Sequence, residues 1–193
     1  MKPIGVLYAT REGHTRRIAE FVATGLRVRG FKADVRDVAD GARVDLAQYH
    51  AAILAASVHA GKHEREMVRF VREHHAALDS VPTAFLSVTL SEAGAERASA
   101  TSDERARFAA DVHNVIDTFF KQTGWQPKRV KPVAGALLYS KYNFFVRFIM
   151  KRIVRKAGAD TDTSQDYEYT DWRALELFID ELCSEISRTG RAA

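Results

Sequence analysis

Apolar residues along this chain fall into short continuous runs that alternate with longer stretches of helical spacing. Ile4-Gly-Val-Leu-Tyr8 is a brief apolar run of the kind that forms a strand buried on both faces. Ile18, Phe21, Val22 and Leu26 then recur at helical spacing, and Gly30 supplies the stop. Lys32 to Val38 alternates and predicts a second strand, and the wholly apolar Ala51 to Ala56 predicts a third. Glu64 to Leu78 is a charged amphipathic helix. Thr83 to Val88, opened by Pro82, is a fourth strand. Asp103 to Thr123 places Phe108, Val112, Val115, Ile116, Phe119 and Phe120 on a helix, and Val130 to Leu138 follows as a fifth strand. Tyr142 to Ala157 is a basic, apolar helix, and Asp171 to Ile186 is the last helix, with Asp171 as its N-cap. The patch from Ser91 to Ser102, rich in Ala, Ser and Glu, is expected to be a mobile loop.

Strands and helices that alternate in this way build a parallel sheet covered on both faces. Right-handed crossovers make it a doubly wound α/β fold, and five strands suit the order 2-1-3-4-5. In such a sheet ligands bind beyond the carboxyl ends of the strands. The 193 residues suit a single domain, 1–193, with the segment 139–170 as an insertion after strand five.

Composition narrows the class. The hydrophobic fraction, 46%, is ordinary for a globular core. One cysteine, Cys183, excludes an intrachain disulfide, points to a reducing, cytoplasmic setting and reads as an inert packed thiol. The net charge of +4 is too small to claim nucleic acid, and it is local. Between Tyr139 and Gly158 stand Lys141, Arg147, Lys151, Arg152, Arg155 and Lys156, with no acidic residue. No stretch reaches the roughly 18 apolar residues that span a bilayer. The N-terminus reads as a first strand rather than a secretory signal.

The candidate chemistry lies in the loops. Directly after strand one comes Thr10-Arg-Glu-Gly-His-Thr15 and then a helix. Hydroxyls at both ends, the central Gly13, backbone N–H groups and the helix start make an anion cradle suited to phosphate. Thr10 and Thr15 can donate to phosphate oxygens; Arg11 adds charge and Glu12 opposes it. His14 completes the loop. It is neither a GxGxxG fingerprint nor a GK[ST] loop. The bland alternative is a polar turn with Thr15 as helix cap. Two more loops start at adjacent strand ends: Ser57-Val-His-Ala-Gly-Lys-His63, and Ser87-Val-Thr-Leu-Ser91. Val58, His59 and Leu90 can cover a flat ring. His59 and His63 are four apart, yet no third ligand accompanies them, and no metal is expected.

These loops, together with Pro-Thr-Ala-Phe-Leu-Ser-Val-Thr-Leu (82–90), resemble the flavodoxin superfamily. Ala134-Gly-Ala-Leu-Leu-Tyr139, Lys141-Tyr142, Asp160-Thr-Asp-Thr163 and Tyr169-Thr-Asp-Trp172 resemble one branch of it, the flavodoxin-type, menaquinone-dependent protoporphyrinogen IX dehydrogenases. The resemblance runs from Ile4 to about Ile186. It implies a flavodoxin-like fold, FMN as cofactor, and oxidation of protoporphyrinogen IX to protoporphyrin IX, with electrons passed to menaquinone or ubiquinone. It implies that Thr10, Arg11, Glu12, Gly13, His14 and Thr15 hold the phosphate. Ser57, Val58, His59, Ala60 and Gly61 would meet the flavin ring, as would Ser87, Val88, Thr89, Leu90 and Ser91. Ala60 stands where an aromatic would lie beside the flavin. No side chain is singled out as a catalytic acid or base.

The basic helix has three readings. It covers the sheet with a solvated face; or it docks at the inner face of an anionic membrane, where a quinone resides; or it contacts porphyrinogen carboxylates. Tyr139, Lys141, Tyr142, Arg147, Lys151, Arg152 and Arg155 would make those contacts. A homodimer interface is a further use for its aromatics. A flavodoxin-like electron carrier, or a quinone-linked FMN oxidoreductase with another substrate, is the alternative function.

Overall fold

Residues 2–40, 44–138 and 165–189 are described by the structure, a computed structural model. The expected basic helix at Tyr142 to Ala157, and with it Tyr139, Lys141, Tyr142, Arg147, Lys151, Arg152 and Arg155, lies outside the described residues.

The first strand, β1 (Ile4–Ala9), is buried along its whole length. Its side chains alternate between two cores: Ile4, Val6 and Tyr8 enter one, and Leu7 and Ala9 enter the other. This is the period of two acting on a continuous apolar run, because both faces of the strand are covered. Helix α1 (His14–Val28) returns along one face with Ile18, Val22 and Leu26 inward. It leads to β2 (Ala33–Asp37), which pairs in parallel with β1. β3 (Ala51–His59) pairs with the other side of β1. A two-residue turn, Ala60-Gly61, folds the chain back into the short antiparallel β4 (Lys62–His63). Helix α2 (Arg65–Asp79) crosses to β5 (Thr83–Thr89), and β6 (Arg129–Ala134) completes the sheet beside it.

The order is β2-β1-β3-β5-β6, with β4 off the path. Leaving out that short antiparallel strand, the five parallel strands stand in the expected order 2-1-3-4-5. Helices cover both faces. α1 and the last helix, α5 (Trp172–Thr189), share one core, where Ile18, Val22 and Leu26 meet Leu175, Ile179 and Leu182. α2 and α4 (Ser102–Thr123) cover the other, with Met67, Phe70 and Val71 near Phe119 and Trp125. Asp171 Oδ1 accepts from the Ala174 N–H at 2.8 Å, the expected cap of α5. Cys183 is buried in the first core, and burial pushes its thiol up.

Two expectations are corrected. The patch from Ser91 to Ser102 is not all loop: α3 (Leu90–Glu96) occupies its first half. Thr89 starts this helix by accepting the Ser91 N–H at 3.2 Å. Ala and Glu, the residues that gave the patch its low complexity, are good helix formers. Thr101 then caps α4 in a reciprocal pair with Glu104. The fifth strand does not run from Val130 to Leu138. It ends at Ala134, where Gly135 donates to the Thr89 carbonyl at 3.1 Å and accepts from the Tyr169 N–H at 3.2 Å. β7 (Ala136–Leu137) then leaves the sheet and pairs antiparallel with β8 (Tyr167–Glu168).

His63 on β4 is a core residue. Its Nε2 is 2.9 Å from Ser87 Oγ, and its ring packs at a tilt against both Phe85 and Phe119, which stack on each other. Burial lowers its pKa from 6.5 to about 3. The unfolded chain therefore takes up a proton near pH 6.5 that the folded chain refuses until about pH 3. Stability from this group is complete above pH 6.5 and is lost as pH falls between those values. Denaturant titrations across this window are expected to show His63→Gln losing about 1 kcal/mol less per pH unit than the parent chain.

Candidate functional site

β1, β3 and β5 present their carboxyl ends to a common cavity of about 260 Å³. The loop after β1 contributes Thr10, Glu12, His14 and Thr15. All five residues from Ser57 to Gly61 contribute from the end of β3, and Val88, Thr89 and Leu90 from the end of β5. A larger cavity of about 370 Å³ lies at the β2 edge, against Tyr8, Arg16 and Asp37. It is bordered by the connection after the edge strand β2 and not by the loops after β1, β3 and β5, so the smaller cavity, where three adjacent strand ends converge, is the candidate site.

The first loop is shaped by Gly13, at φ 95°, which precedes the first residue of α1. Thr15 is therefore inside the helix and is not its cap. Thr10 Oγ1 accepts the Gly13 N–H at 3.1 Å, so that donor is used within the loop. The N–H groups of the first turn of α1 have no carbonyl behind them. Thr15 Oγ1 is buried and has no hydrogen-bond partner among the described residues. An unpaired buried hydroxyl costs roughly 1–3 kcal/mol, so the loop is incomplete without an acceptor. Helix start and hydroxyl together fit an anion.

His14 anchors the loop to the far end of the chain. Thr170 Oγ1 donates to the Ala134 carbonyl at 2.7 Å, so the 2.7 Å contact with His14 Nε2 is a bond donated by the imidazole. Burial pushes the His14 pKa down, Glu168 partly opposing this, and its ring stays neutral at pH 7. Arg17 pairs with Glu168 and lies over the Trp172 ring, so α1, β8 and the start of α5 form one cross-linked corner.

The second loop carries the charge. His59 Nε2 lies 2.9 Å from Glu12 and 3.2 Å from Glu64. Glu64 also accepts from Ser57 Oγ at 3.2 Å and pairs with Arg11 at 3.3 Å. Arg11 thus points to Glu64. Ala60 at φ 49° and Gly61 at φ 73° form the tight hairpin turn. In the third loop, Ser87 is fully buried against His63. The Ser91 backbone is taken by Thr89.

The site has a further wall that the strand-end argument did not supply: Gly135, Ala136 and Leu138. They were hidden inside the expected fifth strand. The Ala134-Gly-Ala-Leu run held the signal, since a glycine within a strand pattern marks a break or close backbone approach. With Val58, Ala60 and Leu90 they make the cavity apolar away from the cradle. Among the described residues, no group of three or more His, Cys, Asp or Glu is placed to hold a metal.

A family model for the flavodoxin domain matches residues 5–164. The chain is 32% identical over 177 residues to protoporphyrinogen IX dehydrogenase (quinone) of Escherichia coli (strain K12), covering 92% of each chain. It is 33% identical over 180 residues to the protein of that name from Leishmania major, covering 93% of this chain and 74% of that one. Among solved structures it is similar to a flavodoxin of Streptococcus pneumonia TIGR4, with TM-score 0.50 and 19% identity, covering 94% of this chain and 98% of that one. It is also similar to the rubredoxin oxygen:oxidoreductase of Desulfovibrio gigas, with TM-score 0.51 and 10% identity, covering 97% of this chain and 37% of that one.

Thr15→Val keeps the side chain's shape and removes only the unpaired hydroxyl. Denaturation of the ligand-free protein should show it unchanged or stabilised by about 1 kcal/mol. Titration with inorganic phosphate should show binding weakened about tenfold, the loss of one hydrogen bond to an anion.

Proposed function

The chain belongs to the flavodoxin-domain family together with the protoporphyrinogen IX dehydrogenases (quinone), and from that premise we propose that it binds FMN and oxidises protoporphyrinogen IX to protoporphyrin IX, passing the electrons to menaquinone or ubiquinone. The observation that carries the reading is the pairing of two features in one cavity. One is an anion cradle with an unsatisfied buried hydroxyl at Thr15; the other is an apolar set of walls, Val58, Leu90 and Leu138 among them. A ligand with a phosphate tail and a flat ring fits both.

When bound, FMN supplies the two-electron acceptor. The residues of this chain do the rest. Thr15, Thr10 and the first turn of α1 hold the phosphate. The backbone of Ser57 to Gly61 and of Val88 to Leu90 borders the ring, and the apolar side chains keep water from its faces. His14, neutral and tied to Thr170, keeps the cradle in register with the Gly135 wall. No helix among the described residues is long and apolar enough to cross a membrane.

Mixing FMN-loaded protein with protoporphyrinogen IX without oxygen, and following flavin absorbance beside porphyrin fluorescence, tests this directly. Each flavin takes two of the six electrons that separate porphyrinogen from porphyrin, so bleaching on mixing, then reoxidation of the flavin and growth of porphyrin fluorescence when menaquinone is added, is the expected result. A flavin that dithionite reduces but protoporphyrinogen leaves oxidised would overturn the assignment and favour an electron carrier or another substrate.

A further inference from the structure

His59 is placed as more than a wall of the cavity. Its Nε2 is buried within ion-pair distance of two carboxylates, Glu12 at 2.9 Å and Glu64 at 3.2 Å, without the alignment of a hydrogen bond to either. These are 16% and 7% exposed, whereas His59 keeps 23%, so the ring is open on atoms other than Nε2. Two carboxylates this close to Nε2 repel a bare lone pair there, which assigns the ring proton to Nε2 and leaves Nδ1 as the acceptor of the neutral ring. Nδ1 has no hydrogen-bond partner among the described residues, and His59 lines the cavity. The other charged groups around the ring are Arg11, which pairs with Glu64, and Lys62, its exposed partner across the hairpin. Two carboxylates against the paired Arg11 leave an excess negative charge behind the ring. Such a background fixes ring orientation and stabilises an imidazolium once it forms, as the carboxylate does in a hydrolase triad.

The remaining titratable groups at the cavity are otherwise engaged. Burial lowers the His14 pKa, its Nε2–H is given to Thr170, and among the described residues no carboxylate stands within ion-pair distance of its ring. The Glu12 carboxylate rests against His59. His63, the other histidine of the hairpin, is sealed in the core. An ion-pair latch between the loops would serve with Nε2 alone. It gives no reason for a free basic nitrogen at the cavity.

Building on the function proposed above, we propose that His59 Nδ1 accepts the pyrrole N–H proton of protoporphyrinogen as hydride leaves the substrate for the flavin. A methylene-bridge C–H bond breaks and its hydrogen departs with the electron pair to the flavin, which is reduced by two electrons. The N–H bond breaks in concert: its proton bonds to Nδ1, its electron pair stays on nitrogen as an in-plane lone pair, and the pyrrole π electrons form the new conjugated double bonds to the bridge carbon. The imidazolium, held by Glu12 and Glu64, then returns the proton to water.

The test compares the FMN-loaded full chain with His59→Gln, mixed with protoporphyrinogen IX without oxygen across a range of pH. Flavin bleaching in the parent protein should rise with pH along one ionisation. The same midpoint should appear in the His59 ring titration followed by NMR. His59→Gln should bleach about 100-fold more slowly and without that ionisation, the usual scale for losing a general base. FMN affinity, followed separately by flavin fluorescence, should fall far less than the bleaching rate. Imidazole added to His59→Ala should restore part of the rate. In the cofactor-free protein, nitrogen NMR should show the Nε2–H tautomer, and Glu12→Gln should weaken that preference. A His59→Gln protein that bleaches at the parental rate, or keeps the pH dependence, overturns the proposal. So does one that loses FMN binding while its bound fraction reacts normally, which would make His59 a latch. If the parent protein itself is not bleached by protoporphyrinogen yet is reduced by dithionite, the function falls and this step with it.

Discussion

The candidate site depends on the hydrogen-bond accounting of a single turn, from Thr10 to Thr15. Gly13 takes a left-handed conformation there, and its N–H is absorbed by Thr10 Oγ1. That closes the turn without using the donors that follow it. The first turn of α1 is left with N–H groups that no carbonyl can reach, and Thr15 Oγ1 is buried beside them unpaired. A side chain that capped α1 would relieve that deficit and fill the space of an anion. The chain places glycine at the cap instead. The local cost is recovered only when a negatively charged group enters, so local instability and ligand binding have one cause.

Holding such a turn open needs support from outside it, and this comes from far along the chain. Thr170 bridges His14 to the Ala134 carbonyl, joining the cradle to the end of β6. Gly135 is gripped on both sides, by Thr89 of β5 and Tyr169 beyond β8. The Gly135 wall, the third loop and the cradle are therefore tied together by hydrogen bonds. Arg17, Glu168 and Trp172 brace the same corner at the surface, where exposed ion pairs count for little singly and gain from being linked.

Much of this was legible in the sequence, for a physical reason. Strands buried on both faces must be apolar throughout, so β1, β3 and β5 stood out as runs, and a βαβ chain leaves few ways to order them. The three loops at their carboxyl ends followed from that order. What escaped was what depends on partners distant in sequence. Ala136 and Leu137 look like a continuation of β6, and only pairing with Tyr167 and Glu168 pulls them away. The Gly135 break and its part in the cavity went unread for the same reason. Thr170 carried no sign that it would meet His14. The helix at Leu90–Glu96 was a different error: its Ala and Glu were read as low complexity when their helix propensity was informative. Glu64 was read only as the start of α2, although its burial beside Ser57 makes it part of the site's charge.

Three histidines show how environment, not residue type, sets the chemistry available near this cavity. His63 is enclosed by Phe85 and Phe119 with only a serine hydroxyl to bond, so nothing nearby offsets the cost of charging it, and its pKa falls to about 3. It behaves as an aromatic core residue with one polar atom. His14 is also buried, but its bond to Thr170 fixes its tautomer and makes it a strut. His59 alone has carboxylates behind it and open cavity beside it. Burial penalises the charged imidazole in the first two, and no counter-charge compensates fully. For the third, the counter-charges are already in place before any proton arrives. A proton acceptor at a redox site needs that order of events, because reorganising charge during the reaction would add to the barrier. The chain supplies it by converging Glu12 from the cradle loop and Glu64 from the start of α2 on one ring nitrogen.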